Sequence, residues 1–147
     1  MPRAFSLQSL LELAQRQSDG AATTLGGLNA HVRGSEAKLN LLLRYREEYR
    51  ARFRAALHQN TSSSGWRNFH DFMDKLDQAI EQQRAALLNS REMMQIGQRE
   101  WRSAQRRVKT FDTLAQHHAT TEARRLAKSE QREHDDRSGI AHRKNPR

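Results

Sequence analysis

Histidines, paired carboxylates and clustered glycines are the features of this 147-residue chain whose types could do chemistry. His117 and His118 are the closest pair among its seven histidines. Adjacent helical side chains point about 100° apart, so these two cannot chelate one metal ion. No histidine stands four residues from His118 in either direction, and no carboxylate-rich cage is near. Glu47 and Glu48 sit among arginines, where solvated surface pairs explain them, and general acid–base work would need a pocket around them. Gly20, Gly26 and Gly27 do not follow a strand and form no phosphate cradle. No Walker A sequence, GxGxxG turn or Ser/Cys nucleophile motif occurs. Cysteine is absent, which excludes disulfides and thiolate zinc sites. The chain therefore reads as a protein without catalysis, metal or cofactor, whose function lies in its surfaces.

Two long helices must carry those surfaces. Only 35% of residues are apolar and 29% are charged, a poor mix for a compact core but adequate for helices that bury a narrow stripe. The two prolines, Pro2 and Pro146, lie at the ends, so nothing between them forces a helix to stop. From Trp66, steps of three and four residues run through Phe69, Met73, Leu76, Ile80, Gln83, Leu87, Ser90, Met94, Gly97, Trp101, Ala104, Val108, Phe111 and Ala115. Twelve of these fifteen positions are apolar. A repeat averaging 3.5 residues keeps one apolar seam facing a partner helix. A second seam of the same quality runs from Leu7 to Ala56, interrupted only by Ser18, Ser35 and Arg46. The seams are equal in length, which points to their pairing with each other.

Between them lies HQNTSSSG at 58–65, a polar stretch that reads as a turn with helix-cap serines. A short turn between equal helices makes an antiparallel hairpin. The expected fold is all-α: helix 1 at about 6–57, a turn at 58–65, helix 2 at about 66–135 and a disordered tail at 136–147, in one coiled-coil domain. Aligning the ends places Leu7 against Ala115, Leu28 against Met94 and Leu42 against Ile80. Gly20, Gly26, Gly27 and Gly34 weaken the middle of helix 1 by about 1 kcal/mol each relative to alanine. They predict bending or fraying there, with close helix approach as the structural reading and a hinge as the alternative. Past Ala115 the second helix keeps helix-forming residues but loses its seam, so it is expected to project alone.

The formal charge is +9, densest at 84–132 with eleven Lys/Arg against five Asp/Glu. Acids are interleaved throughout, as on a solvated helical surface, and an anionic partner is the alternative. Met1 to Leu13 is too polar for a signal peptide and no apolar run could span a membrane, so the expected location is cytoplasmic.

One flank stands out. Phe72 and Ala79 each lie one place before a seam residue and join Leu76 and Gln83 in a stripe on one helix face. Lys38, Leu42, Tyr45 and Tyr49 make a matching stripe on the first helix, alongside it in the predicted register. An apolar patch on a charged surface marks a partner site; the alternative is that Phe72 and Tyr45 only widen the hairpin core. Trp66 and Trp101 share one heptad phase; they are expected to pack in the seam, with exposed anchors at its ends as the alternative.

At these residues the chain resembles the FliJ family of bacterial flagellar export proteins. The resemblance rests on LLLRYREEYR at 41–50, WRNFHDFMDKLDQAIEQQR at 66–84 and WRSAQRR…TFDTLAQHH around 101–118, and it spans nearly the whole chain. It implies a two-helix coiled coil resembling the γ stalk of rotary ATPases. It implies insertion of the terminal end into the ring of the export ATPase, FliI, whose hexamer it favours. It also implies binding to the cytoplasmic linker of the export gate protein, FlhA, and to export chaperones, with peripheral association at the inner-membrane export apparatus. The family's gate-binding surface maps onto Lys38, Leu42, Tyr45, Tyr49, Phe72, Leu76, Ala79 and Gln83. The chain differs at Lys38, where the family can carry Gln, and at Gln83, where it can carry His. For the ATPase end, the resemblance and the lone helix together point to Leu7, Leu11, Arg16, Phe111, Arg124 and Arg125.

An injectisome stalk of the same fold, a basic coiled-coil nucleic-acid binder and a generic homo-oligomeric coiled coil are the rival readings; no nucleic-acid partner is expected. An intramolecular hairpin predicts a single-chain rod of roughly 75–90 Å from the helical rise. Small-angle scattering checks this: a compact sphere, or a parallel dimer of twice the length, would refute the hairpin.

Overall fold

A computed structural model describes residues 2–59 and 62–144, and side-chain surroundings for 6–59 and 62–140. Two helices account for it: α1, Pro2–Leu57, and α2, Ser63–Lys144. No strand occurs among the described residues, and the fold is an all-α helical hairpin. No helix among them is long and apolar enough to cross a membrane.

The helix ends differ from the sequence expectation for local reasons. α1 starts at Pro2, not near residue 6, because proline's missing N–H is no loss in the first turn. It closes with tight bonds: His58 N donates to the Ala55 carbonyl at 3.3 Å and Gln59 N to the Ala56 carbonyl at 2.9 Å. α2 starts at Ser63, so the turn is shorter than 58–65; residues 60–61 lie outside the described residues. Ser62 caps it, its Oγ accepting from Gly65 N at 3.2 Å and its carbonyl from Trp66 N at 3.2 Å. α2 then runs through Lys144, although a disordered tail is expected from residue 136. Gly139 is the one weak helix former in 136–144, and the first residue unable to join a helix is Pro146. Residues 145–147 of that expected tail lie outside the described residues.

The chain divides into two compact units, one of Met1–Asp19 with Ser103–Arg147 and one of Gly20–Arg102. In the second unit, Met73, Leu76 and Ile80 form a buried cluster, with Leu39, Leu42, Leu43, Tyr49 and Phe69 packed against it. Ile80 is 1% exposed and is the tightest point of the seam. Phe53 stacks on Phe69 with ring centroids 3.7 Å apart and meets Trp66 at 5.3 Å with the planes tilted by 46°. Three polar seam residues are accommodated rather than excluded. Gln83 Nε2 donates to the Ser35 carbonyl at 3.1 Å, Ser90 Oγ donates to the Ala86 carbonyl at 2.9 Å, and Arg46 pairs with Asp77 at 3.4 Å. The Arg46 Nε is buried without a hydrogen-bond partner. In the first unit, Ala14, Ser18 and Ala104 are buried, and Arg107 donates to Gln17 Oε1 at 3.3 Å.

Seam positions from Leu7 to Phe53 and from Phe69 to Ala115 are buried or half-buried, Trp101 among them. Trp66 is exposed, at the turn where the facing seam residue is the small Ala56.

The glycines behave otherwise than expected. α1 is unbroken through 18–35, and a Cβ at Gly20, Gly26, Gly27 or Gly34 would meet nothing within 4 Å. They therefore support no close helix approach. That role falls to Gly97 in α2, where a Cβ would stand 2.6 Å from Leu28 Cδ1. Gly26→Ala and Gly27→Ala are expected to raise stability by about 0.5–1 kcal/mol each. Gly97→Ala is expected to lower it by about 1 kcal/mol through overpacking against Leu28. Thermal melts of the three variants check the contrast in sign.

Candidate partner-binding site

Covering the seam leaves two unlike flanks in the unit Gly20–Arg102. The residues just after seam positions include Glu36, Arg50, Asp77, Arg84 and Arg91, with Leu43, Leu57 and Leu88 as apolar exceptions. Here Arg91 pairs with Glu36 across the helices at 3.1 Å, and Arg84 pairs with Glu81 at 2.9 Å. The residues just before seam positions include Lys38, Tyr45, Phe72, Ala79 and Ala86. This second flank carries the aromatic patch.

The eight residues singled out there divide by depth. Phe72 is 42% exposed and Tyr45 is 53% exposed; Lys38 is exposed too. Leu42, Tyr49 and Ala79 are half-buried beneath them. Leu76 and Gln83, at 8% each, lie in the seam and support the patch rather than face solvent. Phe72 leans on Tyr49 with ring centroids 4.2 Å apart and planes tilted by 33°. Tyr49 in turn stacks on Phe69 at 5.8 Å. The exposed Phe72 ring is thus held by the core at one edge, while Tyr45 lies one helical turn before Tyr49. The Phe72 ring, fixed in this way, can bury area against a partner with little loss of its own freedom, and Tyr45 adds a second exposed ring on the same flank.

The unit Met1–Asp19 with Ser103–Arg147 holds the other candidate residues. Leu7, Leu11 and Phe111 are half-buried, and Arg16, Arg124 and Arg125 are exposed. Leu11 and Val108 line a groove with Glu12, Gln15, Lys109 and Asp112. Past His118 every described side chain to residue 140 is exposed, so α1 covers none of this stretch. Arg124, Arg125, Lys128 and Arg132 line one surface of it, with Thr121 and Ser129. Arg125 lies 3.9 Å from Glu122. The structure brings Leu7, Leu11 and Phe111 to the hairpin seam and leaves Arg124 and Arg125 on the uncovered helix.

Sequence reasoning passed over one feature of the aromatic flank, a hollow beside Lys38 lined by Gly34, Ser35 and Ala86. Its signal was Gly34, whose missing side chain opens space on the flank and not toward the other helix. No group of three or more His, Cys, Asp or Glu able to hold a metal ion occurs among the described residues.

A two-helix hairpin with an apolar seam is common to many proteins, so sequence comparison decides the family. Residues 3–147 match the family described as flagellar FliJ protein. The chain belongs to the flagellar FliJ family. It is 29% identical over 114 residues to the flagellar FliJ protein of Salmonella typhi, covering 78% of each chain. It is 28% identical over 115 residues to that of Escherichia coli strain K12, again covering 78% of each.

Because Phe72 is held at one edge and open at the other, Phe72→Ala is expected to cost about 1 kcal/mol of stability, the worth of an aromatic pair. Ile80→Ala should cost about 2–5 kcal/mol, as deletion of a buried aliphatic side chain does. Chemical denaturation of both variants checks the difference; equal losses would place Phe72 in the core.

Proposed function

We propose that this protein is the stalk of the flagellar protein export apparatus, coupling an export ATPase ring to the export gate without catalysis of its own. Membership of the flagellar FliJ family supports a flagellar export component. The observation that carries the finer reading is the exposed aromatic pair, Tyr45 and Phe72, on one flank of a hairpin whose other flank carries the Arg91–Glu36 ion pair and no exposed aromatic ring near it. In this reading the cytoplasmic linker of an FlhA-like gate protein docks on Tyr45, Tyr49, Phe72 and Leu42, with Ala79 and Lys38 at the edges and Leu76 and Gln83 beneath. The rings supply the desolvated anchors that dominate interface energies.

The FliI-like ATPase takes the other unit. An uncovered helix of more than five turns suits a ring lumen, which can surround it on all sides. Leu7, Leu11 and Phe111 would hold the hairpin together where the ring grips it, and Arg16, Arg124 and Arg125 would meet the lumen wall. Engagement of one chain by several ATPase subunits would favour the hexamer by mass action. The protein would work in the cytoplasm, peripherally associated with the inner-membrane apparatus, and would also meet export chaperones. A nucleic-acid partner is disfavoured because acids accompany the cations: residues 119–140 hold five Lys/Arg and five Asp/Glu.

Truncation after Ala115 is expected to abolish stimulation of the ATPase while the seam stays helical by circular dichroism. Phe72→Ala should do the reverse, keeping ATPase stimulation and weakening binding of the gate linker by about 2 kcal/mol or more. Normal stimulation by the truncated chain would refute the assignment of the ATPase end.

A further inference from the structure

The aromatic flank of the unit Gly20–Arg102 contains a hollow as well as a ridge. Gly34, Ser35 and Lys38 of α1 and Gln83 and Ala86 of α2 line it, with His31. Gly34 keeps it open, since a Cβ there would meet nothing within 4 Å. A glycine in a helix interior costs about 1 kcal/mol relative to alanine, and no close packing at Gly34 offsets this.

Two polar groups in the hollow lack partners. Gln83 is 8% exposed, and its Nε2 donates to the Ser35 carbonyl and Oγ at 3.1 and 3.3 Å. Its Oε1 accepts no hydrogen bond among the described residues. Lys38 is exposed and makes no ion pair among the described residues. Glu36, two residues away, turns to the opposite flank and pairs with Arg91 at 3.1 Å. No carboxylate lines the hollow. An amide oxygen still open to water and a free ammonium group thus sit beside this hollow.

We infer that this hollow seats an acidic side chain of the protein segment that docks on the Tyr45–Phe72 ridge. The inference rests on the gate-docking reading and adds to it the chemistry of the docked segment. The incoming carboxylate accepts from Lys38 Nζ and from the Ser35 hydroxyl, and an N–H of the same segment donates to Gln83 Oε1. Charge-assisted bonds of this kind, partly shielded from water, set register and discriminate against partners lacking the acid. A nucleic acid fits less well, because phosphate backbones are held by rows of cations and this hollow has one lysine.

The test titrates the full-length protein with the purified cytoplasmic linker of the gate protein, followed by fluorescence anisotropy at low and high salt. Gly34→Leu fills the hollow; it is expected to weaken binding at least tenfold while raising the melting temperature. Lys38→Glu is expected to weaken it at least tenfold at low salt and less at high salt. Neutralising the linker's acids one at a time should reveal one whose loss weakens the wild type but not Lys38→Glu. Phe72→Ala separates this inference from the reading beneath it. Loss of binding in Phe72→Ala with normal binding in Gly34→Leu and Lys38→Glu overturns the hollow and leaves the ridge. Loss in those two with normal binding in Phe72→Ala supports the hollow and overturns the ridge. Should Gly34→Leu lower the melting temperature, Lys38→Glu on the exposed surface decides. No effect in any variant, or tighter binding of a duplex oligonucleotide than of the linker, overturns both.

Discussion

Everything in this molecule depends on one constraint: each helix carries an apolar stripe too narrow to bury itself, and the other helix must cover it. The stripe is under strong demand near Ile80, where Met73, Leu76 and their partners from α1 exclude water. Elsewhere it tolerates polar residues, provided their groups are satisfied. Gln83 reaches the Ser35 carbonyl and Ser90 bonds back to its own helix. The Gln83 contact crosses between the helices and favours one register, because sliding α2 by a turn would take its amide from the Ser35 carbonyl. Arg46 is the exception, with a buried Nε that finds no acceptor.

The functional surfaces are what this covering leaves over. An antiparallel pair has two flanks, and here they differ in chemistry. One carries Arg91 paired with Glu36 and Arg84 paired with Glu81; the other carries Tyr45 and Phe72. The difference decides which side a protein partner can dry out, since removing water from rings is favourable and removing it from ion pairs is costly. The uncovered part of α2 follows from the same arithmetic. The seam of α1 starts at Leu7, so α2 has little to bury past about Ala115, and past His118 every described side chain to residue 140 is exposed. In the proposed role, the two partners would meet surfaces that lie in separate units of the chain.

Glycine shows how differently one residue type can serve. Gly97 lies in the seam because Leu28 takes the space a side chain would need. Gly34 faces outward, and its absent side chain shapes the flank. Gly26 and Gly27 also face open space, and nothing in the structure explains them.

The sequence by itself determined the two helices, their antiparallel pairing and the residues of the seam. A 3.5-residue repeat sustained over seven heptads calls for a partner helix, and a short polar turn between equal seams makes that partner the other helix, running antiparallel. It also showed that Phe72 and Tyr45 lie beside the seam, because their heptad phase is read directly from spacing. Only the tertiary structure decided how deep each of those residues sits. Leu76 and Gln83 share the Phe72 stripe, yet the facing helix buries them and leaves Phe72 half open. The close approach fell to Gly97 and not to the glycines of α1, because which glycine meets a leucine depends on the helix opposite. The helix ends, too, depended on local bonds such as the Ser62 cap, which composition places only to within a few residues. Spacing along one chain fixes direction around a helix; depth and clearance belong to the pair.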